Sequence, residues 1–521
     1  MRSSFFGLDI ATRGLFTSQR ALDITNHNIN NVNTPGYSRQ VGVQKASSAI
    51  GLFDGTGMVG TGSEVTAVKR MRDDFIDFKY WSENVSLGEW ETKQTAMDEL
   101  EAIFMDTEES GFTKVLGEFF SAIQELSKDP SSLQAREMVK SKGVTAAKYF
   151  NETAAQLQKM RDDYNYAVKL KVDEINTYVK QIRDINEQIY KSELDGNTAN
   201  DLRDQRTLLV DKLSKLVNIQ ASEVVVGRLP SGRENRHFQI TLNGSYLVNH
   251  FDAYELEYFE SDGTNSPMDS GMYDVRWKDS GNRMIPKGGE LKGYIDVRDG
   301  QAVNGQYKGI PYYTEKLNEF ARNFAKAFNE GIFRDGNKYY DGHAGGVGLD
   351  GSTGVRFFTY EENKSAKSSA DFMASGADMD ARYQNITAFN IAISSDIEND
   401  ISKIAASSAN GEAGNNENID QLLKLRHDTK MFAEGAPEDF MKSLIANLGV
   451  DAQQAVRIAS NQDSIVKQIE NRRLSVSGVS IDEEMANMVK YQHAYNAAAR
   501  MITVIDEIYD VTINRMGAVG R

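Results

Sequence analysis

The chain has 521 residues, more than one hydrophobic core can serve, so length alone points to about two to four domains. Its net charge of −16, from 75 acidic against 59 basic side chains, disfavours nucleic acid and anionic membrane as partners. Cysteine is absent, which excludes disulfides, thiolate metal sites and a cysteine nucleophile, and no apolar run approaches the ~18 residues of a membrane span.

The opening stretch, MRSSFFGLDIATRGLFTSQR, has no signal-peptide core: Asp9, Thr12, Arg13 and Ser18 interrupt it, and no small-residue cleavage site follows. If the protein leaves the cell, it does so by a route that removes no signal peptide. Leu8, Leu15, Leu22 and Ile29 recur every seven residues, and Ala11, Ser18, Thr25 and Val32 follow each by three. This is a heptad with bulky first and mostly small second positions, along which another helix could approach closely. The asparagine-rich run Asn26–Gln40 then ends the helix, because asparagine side chains compete for backbone hydrogen bonds. Pro35-Gly36 forces a bend, so Asn31, Thr34, Pro35, Gly36 and Tyr37 read as a helix terminus and sharp turn.

Phe75, Phe78, Met97, Leu100, Ile103 and Phe104 suggest a helix that packs on the next. Prolines are missing from 131–229, and Val168, Val172, Ile175, Val179, Ile182 and Ile189 make one helical stripe there. Asp195-Gly196 offers a turn, after which Leu202, Leu209, Leu213 and Leu216 make a matching stripe, together an antiparallel helical hairpin. From about 222 the period becomes two, in Val224, Val226, Phe238, Ile240, Leu242, Tyr254, Leu256 and Tyr258, with Gly, Asn, Asp and Ser turns between runs. Helix returns at Tyr312–Phe333, the stretch 334–435 reads only as mixed or irregular, and helices resume after Pro437.

At the C-terminus Ser480 and Glu483 fit a capping box. Met488, Tyr495, Ile502, Tyr509 and Met516 form one seven-residue series, with Tyr491, Ala498, Ile505 and Thr512 three positions behind. Heptads at both ends of one chain predict that the ends pair with each other or with neighbouring copies; docking on their own domain fits the periodicity equally well. Each helix has a single apolar seam. Ordering a residue costs about 1–2 kcal/mol and burying a large side chain returns roughly 1.5–3, so the ends should be marginal alone and stable mainly against other copies.

The expected fold is multidomain and mainly α with an inserted β domain. Residues 1–34 with 480–521 form a terminal helical unit, and 35–221 with 311–333 and 436–479 a helical bundle. Residues 222–310 form an antiparallel β domain, and 334–435 an insertion of mixed or irregular structure. No chemistry stands out. The six histidines include no i,i+4 pair. Gly346-Val-Gly-Leu-Asp-Gly351 lacks the strand and helix of a dinucleotide site, and Asp335–Asp341 begins like a calcium loop but places Tyr339 at a ligand position. Asp482, Glu483 and Glu484 are explained by the favourable charge at a helix N-terminus. No catalytic, cofactor-binding or metal-binding residue is expected, and the chain does not read as an enzyme.

The run NNVNTPGYSRQ at 30–40 resembles the N-terminal signature of bacterial flagellar axial proteins, the rod, hook and hook-associated subunits. SGVSIDEEMANMVKYQHAYNAAARMITVIDEIYDVTINRMG at 477–517 resembles the C-terminus of the same family. The TPGYSRQ and SGVSIDEE portions are most similar to the hook-associated subunit at the hook–filament junction; the glycine-rich stretch Gly348–Phe358 is a looser match. The resemblance implies a structural adaptor outside the cell, exported without a cleaved signal. Its partners would be further copies of itself, the hook protein, the next junction protein and, before export, a cytosolic chaperone on about 480–516. It also implies termini that fold only on assembly. The interface would then comprise Leu8, Leu15, Leu22, Ile29, Asn31, Thr34, Pro35, Gly36 and Tyr37 with Met488, Tyr491, Tyr495, Ala498, Ile502, Ile505, Tyr509 and Met516. A hook or distal-rod protein is the alternative within the family; an enzyme or adhesin in the middle region is the alternative outside it.

Overall fold

The structure, a computed structural model, describes residues 6–515 except 52–56, 105–110, 230, 231, 233, 263–270, 304, 335, 336, 377 and 409–411, with backbone alone at 333, 334, 337–340, 514 and 515. The chain begins with helix α1 (Phe6–Asn30) and a ribbon in which β1 (Gln40–Ala46) pairs antiparallel with β4 (Ser63–Arg70), with the short pair β2 (Ile50–Gly51) and β3 (Met58–Val59) beyond it. Helices α2 (Asp74–Phe104), α3 (Phe112–Lys128), α4 (Leu133–Glu193) and α5 (Asn200–Leu216) follow.

The 61-residue helix α4 is the spine. It starts where the Ser132 side chain accepts the Ala135 N–H, the preferred N-cap arrangement, and nothing inside it breaks a helix except Gly143. That glycine permits close approach: a methyl group there would sit 2.8 Å from Phe357 Cε1 and 2.9 Å from Ile393 Cδ1. The first half of α4, from Val139 to Tyr164, belongs to one core. The second half, from Val168 to Ile182, belongs to another. The stripe read from the sequence is buried along its length, and α5 folds back to cover it with Val210, Leu213 and Leu216.

The second core is closed by an antiparallel sheet, β5 (Ile219–Arg228), β6 (Glu234–Leu242), β7 (Ser245–Asn249) and β8 (Asp252–Ala253) in that order. A separate pair completes it, β9 (Leu256–Glu260) with β10 (Tyr273–Trp277). Alternation places Phe238, Ile240 and Leu242 inward. The strands stop well short of 310, because residues 290–299 form helix α6 (Glu290–Asp299) on α2 and α4. The glycines there read as strand punctuation but serve helix packing. A methyl group at Gly293 would lie 2.8 Å from Thr92 Cβ and 2.9 Å from the Glu89 carbonyl oxygen, and Gly289, at φ +87°, lies against the backbone of Leu216.

The first core is rich in phenylalanine. Helix α7 (Ile310–Glu330), with Pro311 in its first turn, lays Phe320, Phe324 and Phe328 against Phe112, Phe119, Phe120 and Phe150. Each such ring contributes roughly 1.5–3 kcal/mol on burial. The region 334–435 folds onto this core. The pair β11 (Gly331–Arg334) and β12 (Asn337–Asp341) leads to a three-stranded sheet in the order β14 (Ser365–Ala366), β13 (Phe358–Glu362), β15 (Ile391–Ile393). Around it lie the short helices α8 (Ser369–Ala374), α9 (Met379–Gln384), α10 (Ser395–Asn399) and α11 (Glu417–Lys424). Its apolar pieces are two to four residues long, such as Phe357-Phe358 and Ile404–Ala406, too short to show a period.

Helix α12 (Pro437–Ser477) returns along α2, and α13 (Ile481–Asp510) returns along α1. In α2 the expected stripe divides. Met97, Leu100 and Phe104 are buried, whereas Phe75 and Phe78 are exposed, because Ile76 and Asp77 take the inward face of the first turns.

Candidate assembly interface

Helices α1 and α13 run antiparallel with a shared heptad register. A methyl group at Gly7 would stand 3.7 Å from Ile505 Cδ1, one at Gly14 would stand 4.0 Å from Ala498 Cβ, and Asn28 reaches Glu484. Seven residues along one helix correspond to seven along the other, as a 3.5-residue repeat requires. The closest approach in α1 is at small and polar positions: Ala11, Ser18, Ala21, Thr25 and Asn28 are buried. Leu8, Leu15, Leu22 and Ile29 are half-buried along the edges of this stripe. On α13, Met488, Tyr491, Tyr495, Ala498, Ile502, Ile505 and Tyr509 are the half-buried row facing α1. Met516 lies outside the described residues.

The opposite face of α13 is open and mixed, with apolar side chains toward its two ends and Lys490, His493, Asn496 and Arg500 exposed between them. Met485 and Val489 near its start, and Met501, Val504 and Ile508 toward its end, are each about half exposed, and Phe16 stands out of α1 at 62% exposure. A solvent-facing set of this kind is unusual in an isolated domain.

Where the two helices join the rest of the chain, a polar knot replaces the apolar seam. The Asn28 carboxamide donates to the Gln40 carbonyl and accepts the Gln40 N–H, both at 2.9 Å, so its side chain acts as a strand partner. The same group accepts the Tyr37 hydroxyl at 2.7 Å and donates to Glu484 at 3.2 Å. Burial, then the carboxylates of Asp201, Asp204 and Glu484, push the Tyr37 phenol well above its ordinary range, so it stays a donor. Arg39 bridges the ends of the chain, with Nε on Glu484 at 2.7 Å, Nη1 on Glu483 at 2.9 Å and its backbone N–H on the Ser477 carbonyl at 2.8 Å.

The knot continues inward. Ser38 donates its N–H and hydroxyl to Asp204, each at 2.8 Å, and Arg70 meets the same carboxylate at 2.8 Å. Arg72 grips Asp77 with two nitrogens and donates to Ser38 Oγ. Asp211 holds Arg473 and Trp81 Nε1. Asn31 binds back to the His27 carbonyl and Thr34 to Asn31, whereas Thr34 and Pro35 face solvent. Gly36 is at φ +78°, which favours glycine, and a methyl group there would also crowd Leu208 Cβ at 3.1 Å. Under the turn lies a void of about 1010 Å³ bounded by α2, α5 and α12.

Asn28, Ser38, Arg39, Gln40, Asp204 and Glu484 are the residues that periodicity did not single out. Glu484 is more than a helix-terminus charge, since its side chain is only 3% exposed and lies between Arg39 and Asn28. Elsewhere, Gly346–Gly351 is a loop pinned by Val347 N–H on Ser407 and Leu349 N–H on Ser402, followed by a turn and no helix. No group of three potential metal ligands converges among the described residues, from which most of Asp335–Asp341 is excluded.

This pairing of chain ends across a polar turn marks the class. Residues 8–37 match the family described as flagella basal body rod protein, and 470–516 the C-terminal family of the basal body rod FlgEFG proteins. Residues 97–358 match the flagellar hook-associated protein FlgK helical domain. Flagellar hook-associated protein 1 of Bacillus subtilis (strain 168) is 32% identical over the full length of both chains. The protein of that name from Salmonella typhimurium is 26% identical over 97% of this chain and 98% of its own. The chain belongs to the flagellar hook-associated protein 1 family. Its fold resembles that of the flagellar hook junction protein FlgK from Burkholderia pseudomallei at a TM-score of 0.59, with 14% identity, over 77% of this chain and all of the other.

Proposed function

We propose that the protein is a structural adaptor between flagellar hook and filament, with no enzymatic role. The observation that carries this is the open face, with Met485, Val489, Met501, Val504 and Ile508 exposed, of an α13 already paired with α1. Such a face needs further helices, and neighbouring copies in a helical array supply them. The seam and turn residues identified in the sequence then set the shape of the pair, and the open face makes the contact between copies. The hook protein and the next junction protein would bound the array. Before assembly the ends are expected to be loosely ordered, to pass through the flagellar export apparatus without a cleaved signal, and to be held over about 480–516 by a cytosolic chaperone.

Val504→Asp tests this, because it places a charge among the exposed apolar side chains and leaves the α1 seam alone. The variant should be exported and keep the thermal transition of the rest of the chain, while hook tips lack the protein and flagellin is lost to the medium. Filaments of normal number and length would overturn the reading. The matches of both ends to rod families favour one alternative, a hook or distal-rod subunit. A deletion strain separates the two: complete hooks that shed flagellin support the adaptor, and missing hooks support the alternative.

A further inference from the structure

Away from the assembly helices, a recess of about 570 Å³ opens between the β5–β8 sheet and the β9–β10 pair. It falls within the ~300–1,000 Å³ typical of small-molecule sites. Three aromatic side chains wall it. Trp277, at the end of β10, is 8% exposed and seated in the second core, whereas Tyr246 on β7 is 45% exposed at the rim and Tyr254 lies between them. The facing wall is a tight loop turned by Gly281 at φ +69°. The Trp277 N–H binds the Asn282 carbonyl at 2.9 Å and the Met284 N–H the Val275 carbonyl at 2.8 Å. Across the mouth, Asn243 donates its side-chain N–H to the Ile285 carbonyl at 2.8 Å. The recess is therefore shaped by backbone hydrogen bonds within the loop and by the Asn243 side chain across its mouth.

Four of its polar groups are uncommitted. Among the described residues the Tyr246 and Tyr254 hydroxyls, the Asn282 carboxamide and the Trp277 indole N–H have no protein partner. They supply donors and acceptors together, in the fixed directions of planar groups. The only charged residues of the lining are Asp279 and Arg283, and Arg283 is held by Asp274 at 2.9 Å, so nothing here selects an anion. Strand addition is not available, because the edge of β10 is taken by the Arg276–Arg283 bridge. A ligand with one apolar face for the rings and a perimeter of neutral hydroxyls for the amide and phenols meets each of these conditions. We propose that this recess binds a neutral hexopyranose unit of a polysaccharide or glycan chain.

The test uses the full-length protein and the methyl glycosides of glucose, galactose, mannose and N-acetylglucosamine. Affinity for one ring should be about millimolar, read by saturation-transfer NMR and by Trp277 fluorescence in a Trp81→Phe, Trp90→Phe background. Tyr246→Ala and Asn282→Ala sit at the rim and loop and should weaken binding at least tenfold with unchanged circular dichroism. A glycan array carrying bacterial polysaccharide fragments beside animal mucin oligosaccharides separates the two sources of the same chemistry. The proposal is overturned if none of the four glycosides binds by about 20 mM. Binding that survives both substitutions, or stronger capture of sialylated glycans or peptides through this recess, overturns it as well.

Discussion

The carboxamide of Asn28 and the backbone of Gln40 pair through two hydrogen bonds of 2.9 Å, closing the N-terminal helix onto the first strand of the ribbon. A helix side chain thereby completes a strand edge and ties down both ends of the intervening turn. Asn28→Ala would leave the Gln40 N–H and C=O without partners inside the protein, at a cost of about 1–3 kcal/mol. The expected result is faster hydrogen exchange at the Gln40 amide and faster tryptic cleavage after Arg39, with the two cores unaffected. Asn28→Asp should do no better, since it keeps the acceptor for Tyr37 but sets a carboxylate against both Glu484 and the Gln40 carbonyl.

Glu483 and Glu484 make a matched contrast. Both contact Arg39, but their side chains are 62% and 3% exposed. An exposed ion pair is worth about 0–1 kcal/mol, whereas removing one member of a buried pair costs about 3–5. Glu484→Ala should therefore detach α13 from the knot, lowering the urea midpoint of the first helical transition, while Glu483→Ala leaves it nearly in place. Glu484→Gln, which keeps an acceptor for Arg39 and Asn28, should fall between them.

That contrast also marks the limit of what the sequence reveals. The heptads of α1 and α13 are legible because apolar spacing records which face is covered, and the stripe of α4 is legible for the same reason. Glu484 differs from Glu483 only through Asn28, 456 positions away, and no local pattern carries that information. Asn28 is likewise one asparagine among several in Asn26–Asn33, set apart only by meeting a strand. The domain around 334–435 was illegible for another reason: its core contacts are made by isolated pairs such as Phe357-Phe358, which have no period. Gly288, Gly289 and Gly293 are ambiguous in the sequence, since a glycine that admits close packing against α2 or α5 looks the same as one that ends a strand.

Two helix glycines should respond to alanine with opposite signs. At Gly88 the added methyl would collide with the Lys215 carbonyl oxygen, and backbone cannot step aside as a flexible side chain can. Alanine gains up to about 1 kcal/mol of helix propensity, but overpacking typically costs 1–3 or more, so Gly88→Ala should destabilise the α2–α5 contact. At Gly117 the nearest atom is Arg426 Nη2 at 3.7 Å, ordinary contact, and Gly117→Ala should stabilise by about 0.5–1 kcal/mol. Thermal unfolding of the two variants beside the parent protein measures both; a common sign would contradict the packing described at Gly88.

His343 makes stability depend on pH in a direction that can be worked out. It is fully buried, with Nδ1–H donating to the Val355 carbonyl at 2.7 Å and Nε2 accepting the Ala405 N–H at 2.9 Å. These bonds specify the neutral ring, and burial lowers its pKa from 6.5 to about 4. The unfolded chain takes up this proton near pH 6.5 and the folded chain only near 4. The contribution is therefore complete above about pH 6.5 and is lost as pH falls toward 4, amounting to about 2 kcal/mol at pH 5. His250, buried against the stacked ring of His237 and also lowered to about 4, acts in the same direction. Urea midpoints of the parent should fall between pH 7.5 and pH 5. In His343→Gln, which places no titrating group at this position, the fall should be smaller by the His343 share, from a lower starting stability. Identical slopes in the two proteins would show that His343 already carries its proton in the folded state, which the accepted Ala405 N–H forbids.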